Sequence, residues 1–392
     1  MASYMQMGHD TENLVGEKHI REFKGIILSP VNRNPAELQK QLLKITDKTD
    51  KKLDIILDPQ LYFPRSKREH LIKQPYFPKD IDSATDYASK PWWNEINKKL
   101  IKFSSKLNVN KVASPVILPK LFDENYYEVC AETCKSLHKN SRDTEIEILC
   151  TVMVSMKALI KQDNIFTYAS ILTEVECCGY YIVFISDTEP RRELDEADEL
   201  LGAMQLIHLL NSTGKEVLIS FCSSEMILYK VAGATHCATG KFFNLRRFTL
   251  SRFEEPSKKG GGQLEYWFEH SLLTFLREAD IGRLNENNFE HFFNTNFSNN
   301  FWGNVIIESF KEKPKKAWLG YSWRHYLCWF MNVEKCLDSN DPLSNVNIWL
   351  KEAENNWTEL EEEDILFEEK KNNGNWLRAW RQALRDFRKK IL

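Results

Sequence analysis

Most of the short motifs that mark an enzyme class are missing from this chain. No G-x-G-x-x-G follows the first apolar run and there is no G-x-x-x-x-G-K-[ST], which removes the usual dinucleotide and phosphate loops. No G-x-S-x-G is present to raise a serine nucleophile on a strained turn. H-x-H and H-E-x-x-H are absent, so no metal site and no cofactor are expected; Asp80 and Asp82 form a D-x-D, but in a polar loop with no histidine nearby. The nine cysteines include no C-x-x-C: Cys130 and Cys134 lie one helical turn apart and Cys177 and Cys178 are adjacent, spacings that fit reduced core thiols. Apolar runs fall short of the roughly 18 residues a membrane span needs, and Met1 to Asn13 lacks a signal-peptide pattern. The expectation is a cytoplasmic protein with no membrane partner. A net charge of −3 means that any hold on nucleic acid must come from local patches.

What is present reads as a folded chain with a large core. Hydrophobic residues make up 42% and charged residues 28% of 392 positions, enough for a barrel of about 250 residues plus a smaller unit. Seven short apolar runs stand out: Lys24 to Leu28, Leu53 to Leu57, Val112 to Leu118, Glu145 to Val154, Tyr180 to Ser186, Lys215 to Phe221 and Ala234 to Ala238. Amphipathic helical stretches alternate with most of them, the pattern of parallel βαβ units. The expected fold class is therefore α/β, a TIM-like (β/α) barrel over residues 1–285. An open doubly wound sheet is the alternative, and the eighth strand has no clear place.

Past Arg283 the text becomes Asn-rich and aromatic, then Trp-rich and helical, so residues 286–392 are expected to form a helical C-terminal extension packed on the barrel. Lys259-Gly260-Gly261-Gly262 precedes the change and reads as a flexible loop. In the last helix Trp376, Trp380 and Leu384 share one face at i, i+4, i+8. Its cations, Arg378, Arg381, Arg385, Arg388, Lys389 and Lys390, fall on other faces, either solvated or in contact with nucleic acid.

Chemistry in a parallel barrel belongs at the C-terminal strand ends. Those ends supply Asp58, Asp187, Glu225 and His236, with Gln60, Tyr62, Thr188 and Ser223 beside them. A carboxylate there can stabilise an oxocarbenium-like sugar, orient a water or accept from a base edge, although Asp close before Pro is also a common turn starter. His236 reads either as a base-binding or acidic group or as a core histidine. Gly233 to Phe253 combines small residues with Lys241, Arg246, Arg247 and Arg252, donors suited to phosphate oxygens, so it is expected to form a phosphate-gripping rim; the alternative is a solvated charged loop.

A strand ending in Asp58-Pro59-Gln60-Leu61-Tyr62-Phe63, a strand ending in Asp187 and a late glycine-headed, Arg-rich segment together resemble the barrel of the tRNA-guanine transglycosylase superfamily, in outline from Lys24 to Arg283. That superfamily includes relatives that act on bases in DNA, among them glycosylase-type phage-defence enzymes. The family's Asp-Ser-Gly-Gly base-binding segment is replaced here by Asp58-Pro59-Gln60, its nucleophilic aspartate falls nearest Ala238, and its four-ligand zinc site has no counterpart. The resemblance thus implies base removal without exchange, water replacing the incoming base. The expected function is a nucleic-acid N-glycosylase, DNA favoured over RNA, excising a modified base and plausibly serving anti-phage defence. Asp58 and Asp187 would be catalytic, Gln60, Tyr62 and His236 would bind the base, and Lys241, Arg246, Arg247 and Arg252 would hold phosphates. Two other classes stay open: a non-catalytic nucleic-acid or partner-binding module, and a phosphosugar-acting barrel enzyme.

Overall fold

Eight short strands pair side by side, all parallel, and close on themselves. The computed structural model describes residues 3–49, 52–82, 85–255, 264–311, 317–338, 341–369 and 372–391. The loop expected over Lys259-Gly260-Gly261-Gly262 lies outside the described residues. The strands are β1 Tyr4–Gln6, β2 Gly25–Leu28, β3 Asp54–Leu57, β4 Lys111–Ala113, β5 Glu147–Ser155, β6 Gly179–Ile185, β7 Glu216–Ser220 and β8 His236–Thr239. They read as unbroken apolar runs because one face lines the barrel interior and the other is covered by helices.

The strand absent from the sequence reading is the first. Three residues inside a polar leader are too short to show a period, yet Tyr4 and Met5 pair with Gly25 and Ile26 on one side and with Ala238 and Thr239 on the other, closing the barrel. The run from Val112 to Leu118 yields only a three-residue β4, because Ser114 makes the last ladder bond, to the Leu149 carbonyl at 2.9 Å, and Pro115 has no N–H to continue it.

Helices α1 Pro35–Thr46, α2 Glu69–Ile72, α3 Lys90–Leu107, α4 Glu124–Ser141, α5 Gln162–Thr173, α6 Ala197–Asn211 and α7 Met226–Val231 fill the crossovers. Their starts are written locally: Asn34 and Glu37 form a reciprocal capping box on α1, and Ser89 and Asp123 cap α3 and α4. After β8 come an antiparallel hairpin, β9 Trp267–Glu269 with β10 Thr274–Leu276, and helices α8 Glu278–Glu286, α9 Phe301–Lys311, α10 Leu319–Leu337, α11 Pro342–Glu362 and α12 Trp376–Ile391. A second apolar core gathers Trp267, Leu276, Ile281, Ile306 and Trp318, so it draws on residues ahead of position 286.

The extension is fastened to the barrel by buried polar contacts. Lys230 on α7 pairs with Glu334 on α10 at 3.3 Å, and Glu334 also accepts from the Cys237 amide of β8 at 3.1 Å. On α12 the expected face is buried, Trp376, Trp380 and Leu384 together with Leu377, Ala383 and Phe387, and the Trp380 indole donates to the Leu194 carbonyl at 2.6 Å. Arg378, Arg381, Arg385, Arg388, Lys389 and Lys390 are exposed. No helix among the described residues is long and apolar enough to cross a membrane.

His236 does not stand at the mouth. It is the first residue of β8, so it lies at the N-terminal end of the barrel, where Lys24 Nζ approaches its Nε2 at 3.1 Å and Glu216 stands 3.6 Å away. Burial first, then the Lys24 charge, lowers its pKa against the pull of Glu216. Around it Lys111, itself buried, faces Glu216 at 2.6 Å, Glu147 at 3.3 Å and Asp54 at 3.7 Å. Burial pulls the Lys111 ammonium down, but these carboxylates more than offset it and hold it above its ordinary value. This end of a barrel serves stability. Replacing Lys111 with Met leaves three carboxylates without their shared cation; the expected cost is about 3 kcal/mol, read as a lower midpoint in urea at neutral pH.

Candidate functional site

The loop after β8 turns sharply because Gly240 has no side chain. A Cβ there would stand 2.5 Å from the Leu245 Cβ and 2.9 Å from the Gln6 carbonyl oxygen. The turn folds the basic segment back over the barrel mouth. Arg246 Nε donates to the Gly240 carbonyl at 2.9 Å and Arg246 Nη2 to the Lys241 carbonyl at 3.0 Å. Its guanidinium lies 3.6 Å from the ring centre of Tyr326 on α10, with Phe243 and Phe275 at 4.9 and 5.1 Å. Burial lowers its pKa to about 10, which still leaves it charged at neutral pH.

Above this turn, on the C-terminal face, a cleft of about 710 Å³ opens between the barrel loops and the extension. Five cations line it, Arg68, Arg191, Lys241, Arg246 and Arg252, with His9 at the β1 end. Phe242, Phe243, Tyr266 and Trp323 supply rings, and no Asp or Glu is among its described lining residues. Lys241 sits between Phe242 and Trp323, 4.7 Å from each ring centre, and burial lowers its pKa. Arg252 donates to Ser29 Oγ at 2.9 Å, while its buried Nε has no hydrogen-bond partner among the described residues. Thr249 Oγ1 is also without a partner there. Unsatisfied donors beside cations, with no carboxylate among the described lining residues, suit an oxyanion.

Beneath Arg252 lies Asp58, 1% exposed. It accepts from the Gln60 amide at 3.0 Å, the Tyr62 hydroxyl at 2.9 Å and the Tyr181 hydroxyl at 3.2 Å. Burial nevertheless raises its pKa to about 6, the three donors only moderating the shift. Gln60 holds a left-handed backbone, φ 53°, rare for a residue with a side chain, and is pinned by the Val31 amide, which donates to its Oε1 at 3.0 Å. Phe248 and Phe253 pack edge-on against Tyr62, with ring centres 5.4 and 5.2 Å away. Asp58, Gln60 and Tyr62 thus form one hydrogen-bonded group under the basic loop, and none of them lines the cationic cleft.

The other expected residues part company. Asp187 is 79% exposed and pairs with Lys157 at the surface, lining none of the cavities described here, so Asp58 and Asp187 are not brought together. Such a surface pair contributes little. Arg247 points its donors into the protein: Nη1 to the carbonyls of Glu189, at 3.1 Å, and Arg192, and Nη2 to Glu225 at 3.3 Å. It holds the loop after β6 and is not on the cleft. Of the four cations expected to grip phosphate, Lys241, Arg246 and Arg252 reach the cleft. Arg68 and Arg191 were missed although both sit in loops that follow strands β3 and β6, the signal that could have found them. Tyr266 stands just before β9 and Trp323 on α10, and nothing in their local sequence places them at the mouth.

Among the described residues no group of three His, Cys, Asp or Glu side chains could hold a metal ion. No protein-family model matches the sequence, and no curated protein matches it. Similar solved structures include a glycoside hydrolase family 3 β-N-acetylglucosaminidase from Paenibacillus sp., 12% identical, covering 62% of this chain and 54% of that one, with a TM-score of 0.40. This chain thus spans about half the length of that enzyme. A glycosyl hydrolase of the same family from Mycobacterium smegmatis is 13% identical over 61% and 83% of the two chains, TM-score 0.39. N-acetylneuraminate lyase from Mycoplasma synoviae is 11% identical over 83% and 98%, TM-score 0.35. At this level of overlap none of the three bears on activity, and none is a transglycosylase or DNA glycosylase.

The pKa of Asp58 gives a direct test of its setting. The folded protein binds this proton more tightly than the unfolded chain, so its contribution to stability is full below about pH 4 and is lost as pH rises through about 6. Asp58→Asn cannot ionise. Its stability relative to the parent is expected to rise by up to roughly 3 kcal/mol from pH 4 to pH 7, measured as a variant-minus-parent Tm difference that becomes more positive as pH rises. A difference independent of pH removes this account of the site.

Proposed function

We propose that the C-terminal-face cleft binds the phosphates of a nucleotide-containing ligand, with single-stranded or flipped-out DNA as the favoured form. The observation that carries this reading is the lining itself: five cations, four aromatic rings and no described carboxylate in one cavity of about 710 Å³. Cations neutralise phosphates without reading sequence, while rings accept the faces of unstacked bases. The finer reading is an N-glycosylase in which Asp58 alone, without Asp187, supplies the carboxyl group. In support, Asp58 is coupled electrostatically to Arg252 on the cleft, and its pKa of about 6 leaves it ionised at neutral pH, able to stabilise a sugar cation or orient a water. The burial of Asp58 under Tyr62, Phe248 and Phe253 favours the second reading, a binding module without chemistry.

Fluorescence anisotropy with a labelled single-stranded oligonucleotide, titrated at several salt concentrations, tests the binding. Arg68→Ala and Lys241→Ala are each expected to weaken it and to reduce the slope of log K against log salt by about 0.7. Binding that is insensitive to salt ends the proposal. Incubation with modified and unmodified DNA, followed by alkali, reads the chemistry: abasic sites that fall about 100-fold in Asp58→Asn support the glycosylase. Salt-dependent binding with no abasic sites leaves the binding module.

A further inference from the structure

A second cavity, of about 320 Å³, adjoins the cationic cleft, and Arg191 and Tyr266 line both. The wall between them is a polar chain: Arg191 Nη1 donates to the Tyr266 hydroxyl at 3.0 Å, and that hydroxyl donates to Glu369 at 3.2 Å. The smaller cavity differs in character from its neighbour. Tyr266, Phe275 and Trp376 give it aromatic surface, and, unlike the described lining of its neighbour, its own includes carboxyl groups, those of Glu193, Asp195 and Glu369. Two of its lining residues carry buried polar groups. The Trp376 indole N–H, on a residue 5% exposed, has no hydrogen-bond partner among the described residues. Glu193, 7% exposed, accepts from the Ser224 hydroxyl. Burial first, and then the charge of Glu225 nearby, push the Glu193 carboxyl up to about 8, against the opposing charges of Arg247 and Arg246. Near neutral pH it is therefore a neutral acid, with a donor and an acceptor side by side.

An unpartnered indole donor, a neutral carboxyl group and flanking rings match the needs of a flat heterocycle with a mixed hydrogen-bonding edge. Phosphate would be held next door. We propose that the smaller cavity receives the nucleobase of the ligand whose phosphate lies in the cationic cleft, Glu193 and Trp376 reading the base edge and Tyr266 and Phe275 covering its faces. This inference rests on the phosphate-binding reading of the larger cleft. It moves base recognition away from Gln60 and Tyr62, which lie under the basic loop, and from His236 at the far end of the barrel.

Isothermal titration with the four ribonucleoside 5′-monophosphates and with ribose 5-phosphate, which has no base, separates the two ideas. At least one nucleotide is expected to bind about tenfold or more tightly than ribose 5-phosphate. Trp376→Phe keeps the ring and removes the N–H; it is expected to erase most of that margin while leaving ribose 5-phosphate binding unchanged. Glu193→Gln presents the same donor and acceptor as the neutral acid and is expected to keep the margin, whereas Glu193→Ala loses it. If Glu193→Ala does not fold, Trp376→Phe carries the test. Ribose 5-phosphate binding as tightly as every nucleotide, or a margin untouched by Trp376→Phe, overturns the nucleobase site alone. Failure of all five ligands to bind while the salt-dependent oligonucleotide binding persists overturns the nucleobase site alone, and loss of the oligonucleotide binding as well overturns both proposals.

Discussion

Arg246 packs its guanidinium among three aromatic rings and two backbone carbonyls at the floor of the cationic cleft, and it ties together the segments that form the barrel mouth. Taking such a charge out of water is costly unless its donors are met and its faces covered. The carbonyls come from the turn after β8, Phe243 from the basic loop, Phe275 from the hairpin and Tyr326 from α10. One side chain therefore obliges the barrel mouth and the extension to meet at a fixed distance. The cationic cleft is the space left above that junction, and it exists only because both partners contribute walls to it.

The separation of roles around the mouth follows from burial. Arg247 and Arg246 are adjacent in sequence, yet Arg247 turns its donors inward to Glu225 and the loop after β6, while Arg246 reaches the cleft. Asp58 and Asp187 both follow apolar strands, but Asp58 is held under Tyr62 and Tyr181 and Asp187 is left in solvent with Lys157. A strand-end position says which face of a barrel a residue is on. It does not say whether the next loop will cover it.

That distinction marks how far the chain can be read without its structure. Seven of the eight strands were legible because a strand buried on both faces writes an unbroken apolar run, and Trp376, Trp380 and Leu384 were legible because a helix writes its buried face at a fixed spacing. Tyr4–Gln6 was not, since three residues carry no period and its pairing depends on partners far away in sequence. At the site, Lys241 and Arg252 could be read from local composition. Tyr266 and Trp323 could not, because each acquires its place only when the segments after β8 pack over the mouth. His236 was misplaced by a matter of two or three residues: at the start of β8 it faces the stabilising end, whereas Thr239 at the other end of the same strand meets the mouth.

The pairing of Tyr4 with Ala238 also governs how the barrel must be made. Strand β1 has one neighbour, β2, available within about twenty residues, but its other neighbour emerges more than two hundred residues later. Until then the growing sheet has two open edges, β1 and whichever strand was made last, each with unpaired backbone groups able to recruit another chain. Closure is thus a late, long-range event with a high loop-entropy cost, and the nascent protein is most prone to aggregation in the interval before β8 arrives.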